Sequence, residues 1–535
     1  MSRIFRRVGG LHPGRSVFDL SHSHLTTGEM GELIPMLCEE VNAGDKFKIS
    51  NEVIIRMQPL VAPILHEINA FMHYYFVPYR LLWKDWEKFH SGGPKGDFEE
   101  PIPKHKNYAS TATRETGSIW DYFGYNTRPQ GYHVDSVPHD LPRRAYLFIF
   151  NEYYRDQNLQ IPYAFLEEHD DDEDYREPTN RCILNRNWEK DYFTSSLPFQ
   201  QRGLAPALPI SGYTNAIFPG DIMTMVSRDD LHGGYIPFLA STVDQFSMNL
   251  GPYYNNLFEH GLGGPINVRQ SDLNNNKVDL STVSTFNIAD LRLAFQIQKW
   301  LERNARAGVR YTEFLRAHFG VAPSDARLDR PEYIGGSKSP IIISEVLQTS
   351  QSTDSSPQGA MAGHGLIADR TFCASYTAQE PGVIMGILSV MPRTVYCQGM
   401  PRMFLRKTRY DFYFPEFAHL SEQAIITEEL FANSTESANK RIFGFIGRYD
   451  ELRVRQSKVT GLMRRPSTEG GFSHWHLARL FNNHPRLNES FIECVPDKRI
   501  FAVEDQPGLI INVSHNIKAI RPLPIISSPG LIDHF

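Results

Sequence analysis

The chain has 535 residues, of which 41% are hydrophobic and 22% are charged, and these ordinary proportions exclude a wholly disordered protein. Its formal net charge of −6 excludes a protein that coats nucleic acid over its whole surface, because that role needs many exposed cations. Five cysteines without a CxxC pair, and the lack of any apolar run of roughly 20 residues, lead us to expect reduced thiols and no membrane insertion.

The N-terminal region is basic, and its start has neither a helical nor a strand period. Its arginines are Arg3, Arg6, Arg7 and Arg15. No apolar run follows them, so we do not expect a secretory signal. We interpret residues 1–40 as an extended basic arm and residues 41–535 as the main domain. The arm either moves freely or contacts nucleic-acid phosphates, and the sequence leaves both interpretations open.

Two strands are predicted after the arm. From Lys46 to Gln58, apolar and polar residues alternate, which indicates a long strand with one buried face, since strand side chains point to alternate sides. From Ala70 to Val77 both faces are apolar or aromatic except at His73, so this strand is expected in the centre of a sandwich, with further protein outside it.

The middle of the chain contains predicted helices and a long excursion. We predict helices over 141–159, 288–307 and 311–319, and apolar residues around more than half of the second helix indicate that it is largely buried. Residues 167–177 form an acidic run that we interpret as a solvated loop. Residues 211–285 are rich in Gly, Asn, Ser and Tyr, and we interpret them as a protruding insertion with short strands of its own.

Strand-like composition returns after Pro340, in the segments 341–347, 382–390, 411–414 and 441–454. Strands at both ends of the chain, with helices and long excursions between them, predict a mainly β fold. We expect a β-sandwich whose loops have grown.

No catalytic or metal-binding motif stands out. The sequence lacks the phosphate-loop, nucleophile-elbow, zinc-protease and dinucleotide-binding signatures. His474 and His476 would share a face in an extended chain, but without a nearby Cys or acidic partner we favour packing, and His22 and His24 receive the same interpretation. His364 has no evident nucleophile or orienting acid. We therefore predict no catalytic residue, no metal site and no cofactor.

One basic stretch has the composition of a surface that binds single-stranded nucleic acid. Its aromatic residues are Phe443, Phe445 and Tyr449, and its cations are Arg441, Arg448, Arg453, Arg455, Lys458, Arg464 and Arg465. Cations follow phosphates, and aromatic rings stack on unpaired bases. An exposed strand edge with ion pairs between subunits is the alternative. The candidate nucleic-acid contacts are Arg3, Arg6, Arg7, Arg15, Arg453, Arg455 and Lys458.

Sequence blocks along nearly the whole chain carry a resemblance to a known family. They are, in order, FDLSH (18–22) with LTT (25–27), FVPYRLLW (76–83), NEYYRDQNLQ (151–160), DYFTSSLP (191–198), LRLAFQIQKWLERNARAGVRYTEFLRAHFGV (291–321), RPEYIGG (330–336), SEVLQTS (344–350), PEFAHL (415–420), WHLAR (475–479) and PGLIDH (529–534). These blocks resemble the major capsid proteins of the Microviridae, specifically those of the gokushovirus branch. Their density and order make the resemblance far more specific than any short motif.

The resemblance implies an eight-stranded antiparallel jelly-roll with long inter-strand insertions, and a structural shell subunit, not an enzyme. It implies that pentamers close into a T=1 icosahedral shell around a circular single-stranded DNA, in virions assembled in the cytoplasm of a bacterial host. It further implies a small basic DNA-binding protein, an internal scaffolding protein and a pilot protein as partners. The 211–285 insertion stands where such proteins carry a threefold protrusion, which we expect to bind a host surface receptor.

Two other classes of function stay open. The many Tyr, Trp and Asp residues could line the sugar cleft of a carbohydrate-active β-sandwich enzyme, although paired carboxylates cannot be placed. A phage tail or receptor-binding protein is the second alternative, but the sequence lacks fibre repeats. Closed particles of purified protein would favour the shell subunit, whereas a discrete monomer with hydrolytic turnover would favour the enzyme.

Overall fold

The structure, a computed structural model, describes residues 14–105, 115–125, 137–169, 172–179, 181–206, 213–215, 277–279, 288–347 and 361–526. The chain divides into two compact units, one of residues 1–200 and 304–535, and the other of residues 201–303. Within these ranges no helix combines the length and the apolar character needed to cross a membrane.

The strands and helices have the following bounds. The described strands are β1 (Ser16–Asp19), β2 (His22–Gly28), β3 (Ile34–Val41), β4 (Lys46–Met57), β5 (Ile68–Pro78), β6 (Tyr213–Asn215), β7 (Lys277–Asp279), β8 (Glu332–Pro340), β9 (Ile342–Leu347), β10 (Met361–Thr377), β11 (Gly382–Pro392), β12 (Glu422–Ile426), β13 (Ile442–Gly447) and β14 (Leu509–Arg521). The described α-helices are α1 (Trp86–Ser91), α2 (Ile119–Tyr122), α3 (Leu141–Ile149), α4 (Ile288–Ala307), α5 (Tyr311–Phe319), α6 (Glu436–Asn439), α7 (Asp450–Arg453) and α8 (Glu489–Ile492).

One large antiparallel sheet dominates the first unit. Its main path runs β1-β14-β4-β10-β8-β5-β11-β3, while β2 also pairs with β14 and β9 with β10. Val513 of β14 and Ile384 of β11 stand far apart in this order but belong to the same buried core, so the sheet curls until its two halves face each other. This arrangement confirms the predicted mainly β jelly-roll fold, and the main path contains the eight expected strands.

The two N-terminal strand predictions are confirmed by burial. In β4, Phe47, Ile49 and the other odd-numbered residues are buried, while the even-numbered ones are exposed or half-buried. In β5 both faces are buried, because Tyr74 points into the core inside the curl and Tyr75 points into a second core that covers the outside of the sheet. The second core includes Tyr146 of α3, whose hydroxyl donates to the Leu33 carbonyl oxygen at 2.8 Å.

The helix predicted over 141–159 is shorter in the structure. An α-helix ends at Ile149 and a single π-helical turn continues it to Tyr154. The carboxylate of Asp156 then accepts hydrogen bonds from the backbone N–H groups of Asn158 and Leu159, at 3.0 and 3.2 Å. Such local side-chain bonds compete with the helical hydrogen bonds and end the helix.

Three predictions of local structure are wrong, and the first two concern the N-terminal arm and residues 411–414. Residues 16–41 do not belong to an arm, because they form β1, β2 and β3, and only 1–13 of the predicted arm lie outside the described residues. The edge of the long strand β14 that faces away from β4 supplies the backbone partners that β1 and β2 need. Residues 411–414 form no strand, since a 3₁₀ turn ends at Asp411.

The third wrong prediction concerns α4, whose bounds agree with the expected 288–307 but whose apolar side chains are not covered. Leu293, Phe295 and Ile297 are 59%, 65% and 40% exposed. Periodicity identifies the apolar face of a helix but cannot say what packs against it. Helix α5 is confirmed with its predicted bounds.

The second unit contains two short strands. β6 and β7 pair antiparallel, with Tyr213 opposite Asp279 and Asn215 opposite Lys277. The two ends of the predicted 211–285 insertion therefore meet side by side. Residues 216–276 lie outside the described part of the chain, and the protrusion stays a prediction.

Candidate nucleic-acid interface

Three of the histidines singled out by the sequence contact backbone carbonyl groups. Residues Ser473–Trp475 form a 3₁₀ turn, and His476 Nε2 lies 2.8 Å from the carbonyl oxygen of Met463. His22 and His24 make similar contacts through Nδ1, at 2.9 and 3.0 Å. Among the residues that the structure describes, no group of three His, Cys, Asp or Glu side chains is arranged to hold a metal ion.

The five cysteines are all free thiols. Burial raises the pKa of Cys182 to about 11 and that of Cys38 to about 12, because a thiolate would lose its hydration. These two thiols are therefore protonated at neutral pH and act as small apolar packing groups.

The predicted basic stretch lines a cavity of about 270 Å³ in the first unit. The stretch leaves the sheet pair β12–β13, turns through α7 and runs back past the cavity from Val454 to Arg464. The opposite wall comes from residues 396–406, which follow β11 and its connection. Both walls are loops, so the cavity exists only because these distant segments pack together.

Aromatic side chains form the apolar wall of this cavity. Phe193 and Tyr396 meet edge to face, with ring centroids 4.9 Å apart. The Tyr396 hydroxyl donates to Asp191 Oδ2 at 2.8 Å, and the Tyr192 hydroxyl donates to Glu429 Oε2 at 3.0 Å. These hydrogen bonds fix the rings, and fixed rings bind a flat ligand at a lower entropic cost.

Two arginines of the cavity are neutralised by two glutamates, the buried Glu429 and the half-buried Glu451. Arg402 lies 2.9 Å from Glu429 and 3.8 Å from Glu451, and Arg406 lies 3.5 Å from Glu451. Burial raises the pKa of Glu429, and the positive charge of Arg402 opposes that rise. The paired charges stiffen the wall but leave little net charge for a ligand.

Three exposed cations at the cavity have no carboxylate partner within the described ranges: Arg455, Lys458 and Arg464. A group of unpaired cations beside fixed aromatic rings is the arrangement that binds single-stranded nucleic acid, with phosphates on the cations and a base against the rings. A phosphate would not have to displace an existing ion pair there.

The structure brings together only part of the predicted contact set. Arg455 and Lys458 share the cavity, whereas Arg453 forms an ion pair with Asp450 on α7. Arg15 is exposed just before β1 and does not line the cavity. The predicted contacts Arg3, Arg6 and Arg7 lie outside the described residues.

Sequence reasoning missed the other wall of the cavity. Tyr192 and Tyr396 lie far from the basic stretch along the chain, and Arg402 stands in a segment without helical or strand period. The block that begins at Asp191 was the one available signal, since it belongs to the family resemblance. No local pattern pairs it with residues more than 250 positions later.

A larger cavity, of about 1050 Å³, is a weaker candidate. Several of its cations are already paired: Lys190 with Asp156, and Arg310 with Glu313 at 3.4 Å. Phosphates would have to compete with these carboxylates. The smaller cavity therefore remains the candidate nucleic-acid interface.

Comparison with known proteins supports the resemblance found in the sequence. Residues 7–531 match the family described as "Capsid protein (F protein)". The chain is 34% identical to "Capsid protein VP1" of Chlamydia phage 1, over 99% of this chain and 98% of that protein. It is 31% identical to the protein of the same name from Bdellovibrio phage phiMH2K, over 99% and 98%, and 28% identical to that of Spiroplasma virus 4, over 98% and 97%. A family match along almost the entire chain, together with capsid-protein relatives matched over nearly their whole length, means that this chain belongs to the capsid protein (F protein) family.

Proposed function

We propose that copies of this chain assemble through pentamers into a closed T=1 icosahedral shell around a circular single-stranded DNA, and that the chain catalyses no reaction. The observation that carries the proposal is the likeness to capsid proteins over at least 98% of the chain. Relatives that are named capsid proteins and match along almost the whole chain support a structural role for it.

Within this shell, the candidate interface contacts the genome. Arg455, Lys458 and Arg464 bind phosphates, and the cavity beside Tyr192 and Tyr396 receives a base. The N-terminal arginines Arg3, Arg6, Arg7 and Arg15, together with Arg453, add phosphate contacts. Because this chain has a net charge of −6, we infer that a separate small basic DNA-binding protein neutralises most of the phosphate charge of the genome.

Further partners follow from the family resemblance. An internal scaffolding protein and a pilot protein act during assembly and infection, and the 211–285 insertion forms the surface protrusion that binds a host receptor. Loops that stand on a rigid framework commonly carry recognition, which supports this role for the insertion.

One experiment tests the shell and its DNA contacts together. The purified chain should form pentamers or closed particles in negative-stain micrographs, and a discrete monomer would contradict the shell. Pentamers of Arg455→Ala/Lys458→Ala should bind an oligothymidylate more weakly, and the slope of log K against log salt should become shallower by about 1.4, since each phosphate contact on a single strand contributes about 0.7.

The matched control removes two exposed cations that are already paired. Lys440 bonds to Glu436, and Arg465 lies 3.7 Å from Glu469. The Lys440→Ala/Arg465→Ala variant should keep the salt slope of the unmodified protein. If both variants have the same salt slope, Arg455 and Lys458 do not contact DNA. That result would not contradict the proposed shell.

A further inference from the structure

We propose that residues 400–420, the aromatic ledge, form a contact between neighbouring copies of this chain, and that the ledge receives the acidic segment of the next copy. The acidic segment is defined by five residues, Glu168, Asp172, Glu173, Asp174 and Glu177. The inference rests on the proposed shell, and it assigns two surfaces of the subunit to one of the shell's contacts.

The ledge exposes an unusual concentration of large apolar side chains. Every residue from Lys407 to Glu416 is exposed. Tyr410, Phe412 and Tyr413 are 52%, 53% and 52% exposed, and Phe404 is 65% exposed. Contiguous apolar surface of this kind marks an interaction site, and exposed aromatic residues beside arginine are typical of protein–protein interfaces.

The ledge is held in a fixed shape although it contains no strand. Asp411 Oδ2 accepts hydrogen bonds from the backbone N–H groups of Lys407 and Thr408, at 2.8 and 2.7 Å. The buried Tyr449 hydroxyl donates to the Phe412 carbonyl oxygen at 3.1 Å and accepts from the Phe414 N–H at 3.4 Å. A surface that is ordered before binding loses little entropy when a partner docks.

The cations of the ledge favour an acidic protein partner over DNA. Lys407 and Arg409 of the ledge, and Arg448 beside it, have no carboxylate within ion-pair distance in the described part of the chain. The Arg409 guanidinium lies 4.8 Å from the Tyr410 ring centroid, and that of Arg448 lies 5.0 Å from the Tyr449 centroid. The Arg409 guanidinium thus occupies a face of the exposed Tyr410 ring on which a base would have to stack, and the Tyr449 ring is buried.

The acidic segment is the complementary surface on the same chain. All five of its carboxylates are exposed, and none has a cation partner among the described residues. Its described residues are held in place, because the His169 and Tyr175 rings stack with centroids 3.8 Å apart and the Arg176 guanidinium lies 4.2 Å from the Tyr163 centroid. Carboxylates held together in this way retain a concentrated negative charge that a cationic surface can neutralise.

The two surfaces fit a contact between different copies. Within the described ranges no hydrogen bond or ion pair joins the ledge to the acidic segment of its own chain. A contact between two different patches is heterologous, and repeated heterologous contacts close rings when the rotation allows it. Opposite charges would select the register of this contact, and burial of the ledge aromatics would supply most of its affinity.

A charge-reversal experiment on the full chain tests the inference. Lys407→Glu/Arg409→Glu reverses the ledge, and Glu173→Lys/Asp174→Lys reverses the acidic segment. Each pair alone should lower the yield of closed particles about tenfold, because like charges then face each other, while the unfolding temperature stays unchanged. The four substitutions together should restore the yield to within about threefold of the unmodified protein.

The matched control is Lys88→Glu/Arg465→Glu, which reverses two exposed cations that make no contact with the ledge or the acidic segment in the described part of the chain, and it should leave the particle yield unchanged. Normal yield in either reversed pair, or no rescue by the four combined substitutions, would overturn the contact. Particles of normal yield but reduced DNA content in the ledge variant would overturn it in favour of a DNA surface. If the unmodified protein forms no particles at all, the proposed shell itself is contradicted. The results with the variants test only the contact, so the two outcomes can be told apart.

Discussion

At the scale of single residues, the core inside the curled sheet contains a chain of buried polar groups. Asn51 Nδ2 donates to the Tyr74 hydroxyl at 3.2 Å, and that hydroxyl lies 3.2 Å from His515 Nδ1. His515 Nε2 lies 3.0 Å from the Met36 carbonyl oxygen. A neutral imidazole satisfies both contacts, with Nε2–H as the donor and Nδ1 as the acceptor.

Burial lowers the pKa of His515 from 6.5 to about 4, and the nearby His22 and His24 add to the shift. Between these values the unfolded chain binds a proton that the folded chain rejects, so stability falls as the pH falls from 6.5 towards 4. Above pH 6.5 the burial of neutral His515 costs no stability through protonation. Below pH 4 the free energy of unfolding is lower by roughly 3 kcal/mol because of this one group.

We expect the His515→Gln variant to lose less stability than the unmodified subunit between pH 6.5 and 4, since glutamine does not titrate there. Chemical denaturation at several pH values measures the difference. His73 and His105, whose pKa values are also lowered to about 4 by burial, keep their own share of the acid loss in both proteins. The exposed His139, changed to Gln, is the control. An identical pH profile in His515→Gln would show that this residue does not contribute.

At the scale of elements, the curl of the sheet depends on one close approach of backbones. β8 joins the β4–β10–β14 half to the β5–β11–β3 half, and its paired contact with β10 is Gly335 opposite Ala374. The register of β8 against β5 shifts at the same place, where Ile334 forms a bulge between Tyr333 and Gly335. Gly335 has φ +150°, and a Cβ there would overlap the carbonyl oxygen of Cys373. Only glycine fits this junction.

Gly335→Ala should therefore destabilise the subunit by about 3 kcal/mol or more, through the left-handed backbone and the clash together. Gly124 is the matched control, because it has φ +81° and no atom of the described residues lies within 4 Å of a Cβ added there. Gly124→Ala should cost about 1 kcal/mol, from the backbone alone. Equilibrium denaturation of both variants gives the comparison, and equal losses would mean that β10 can move away from β8.

At the scale of the whole molecule, the protein combines one sheet framework with long connections that carry its surfaces. As a member of a capsid protein family, it resides in the virion. The cavity, the aromatic ledge and the acidic segment all lie in connections between strands of the large sheet. Connections change more freely than the sheet, which explains how one framework supports several contacts.

Because β6 and β7 pair side by side, we expect that most of the 211–285 insertion can be deleted without disturbing the rest of the chain. Asn215 and Lys277 are directly opposite in an antiparallel pair, so a short glycine-containing turn can replace residues 216–276. We expect this deletion to leave the unfolding temperature and the particle yield unchanged and to reduce binding of labelled particles to host cells. Loss of folding would contradict a separate insertion, and unchanged cell binding would contradict its role in attachment.

The sequence predicted the features that depend on near neighbours along the chain. Alternation over 46–58 identified β4 and its buried face, and the unbroken apolar run at 70–77 identified a strand buried on both sides. The ordered blocks also identified the family, since a family is recorded in the sequence itself.

The tertiary structure alone decided which segments meet and which faces stay uncovered. The apolar face of α4 was expected to be buried, yet Phe295 is 65% exposed. Tyr192 and Arg455 meet at one cavity only because two distant loops pack together. Side-chain periodicity is set by the local backbone, whereas contacts between distant segments follow from the packing of the entire chain, and no short window of sequence contains that information.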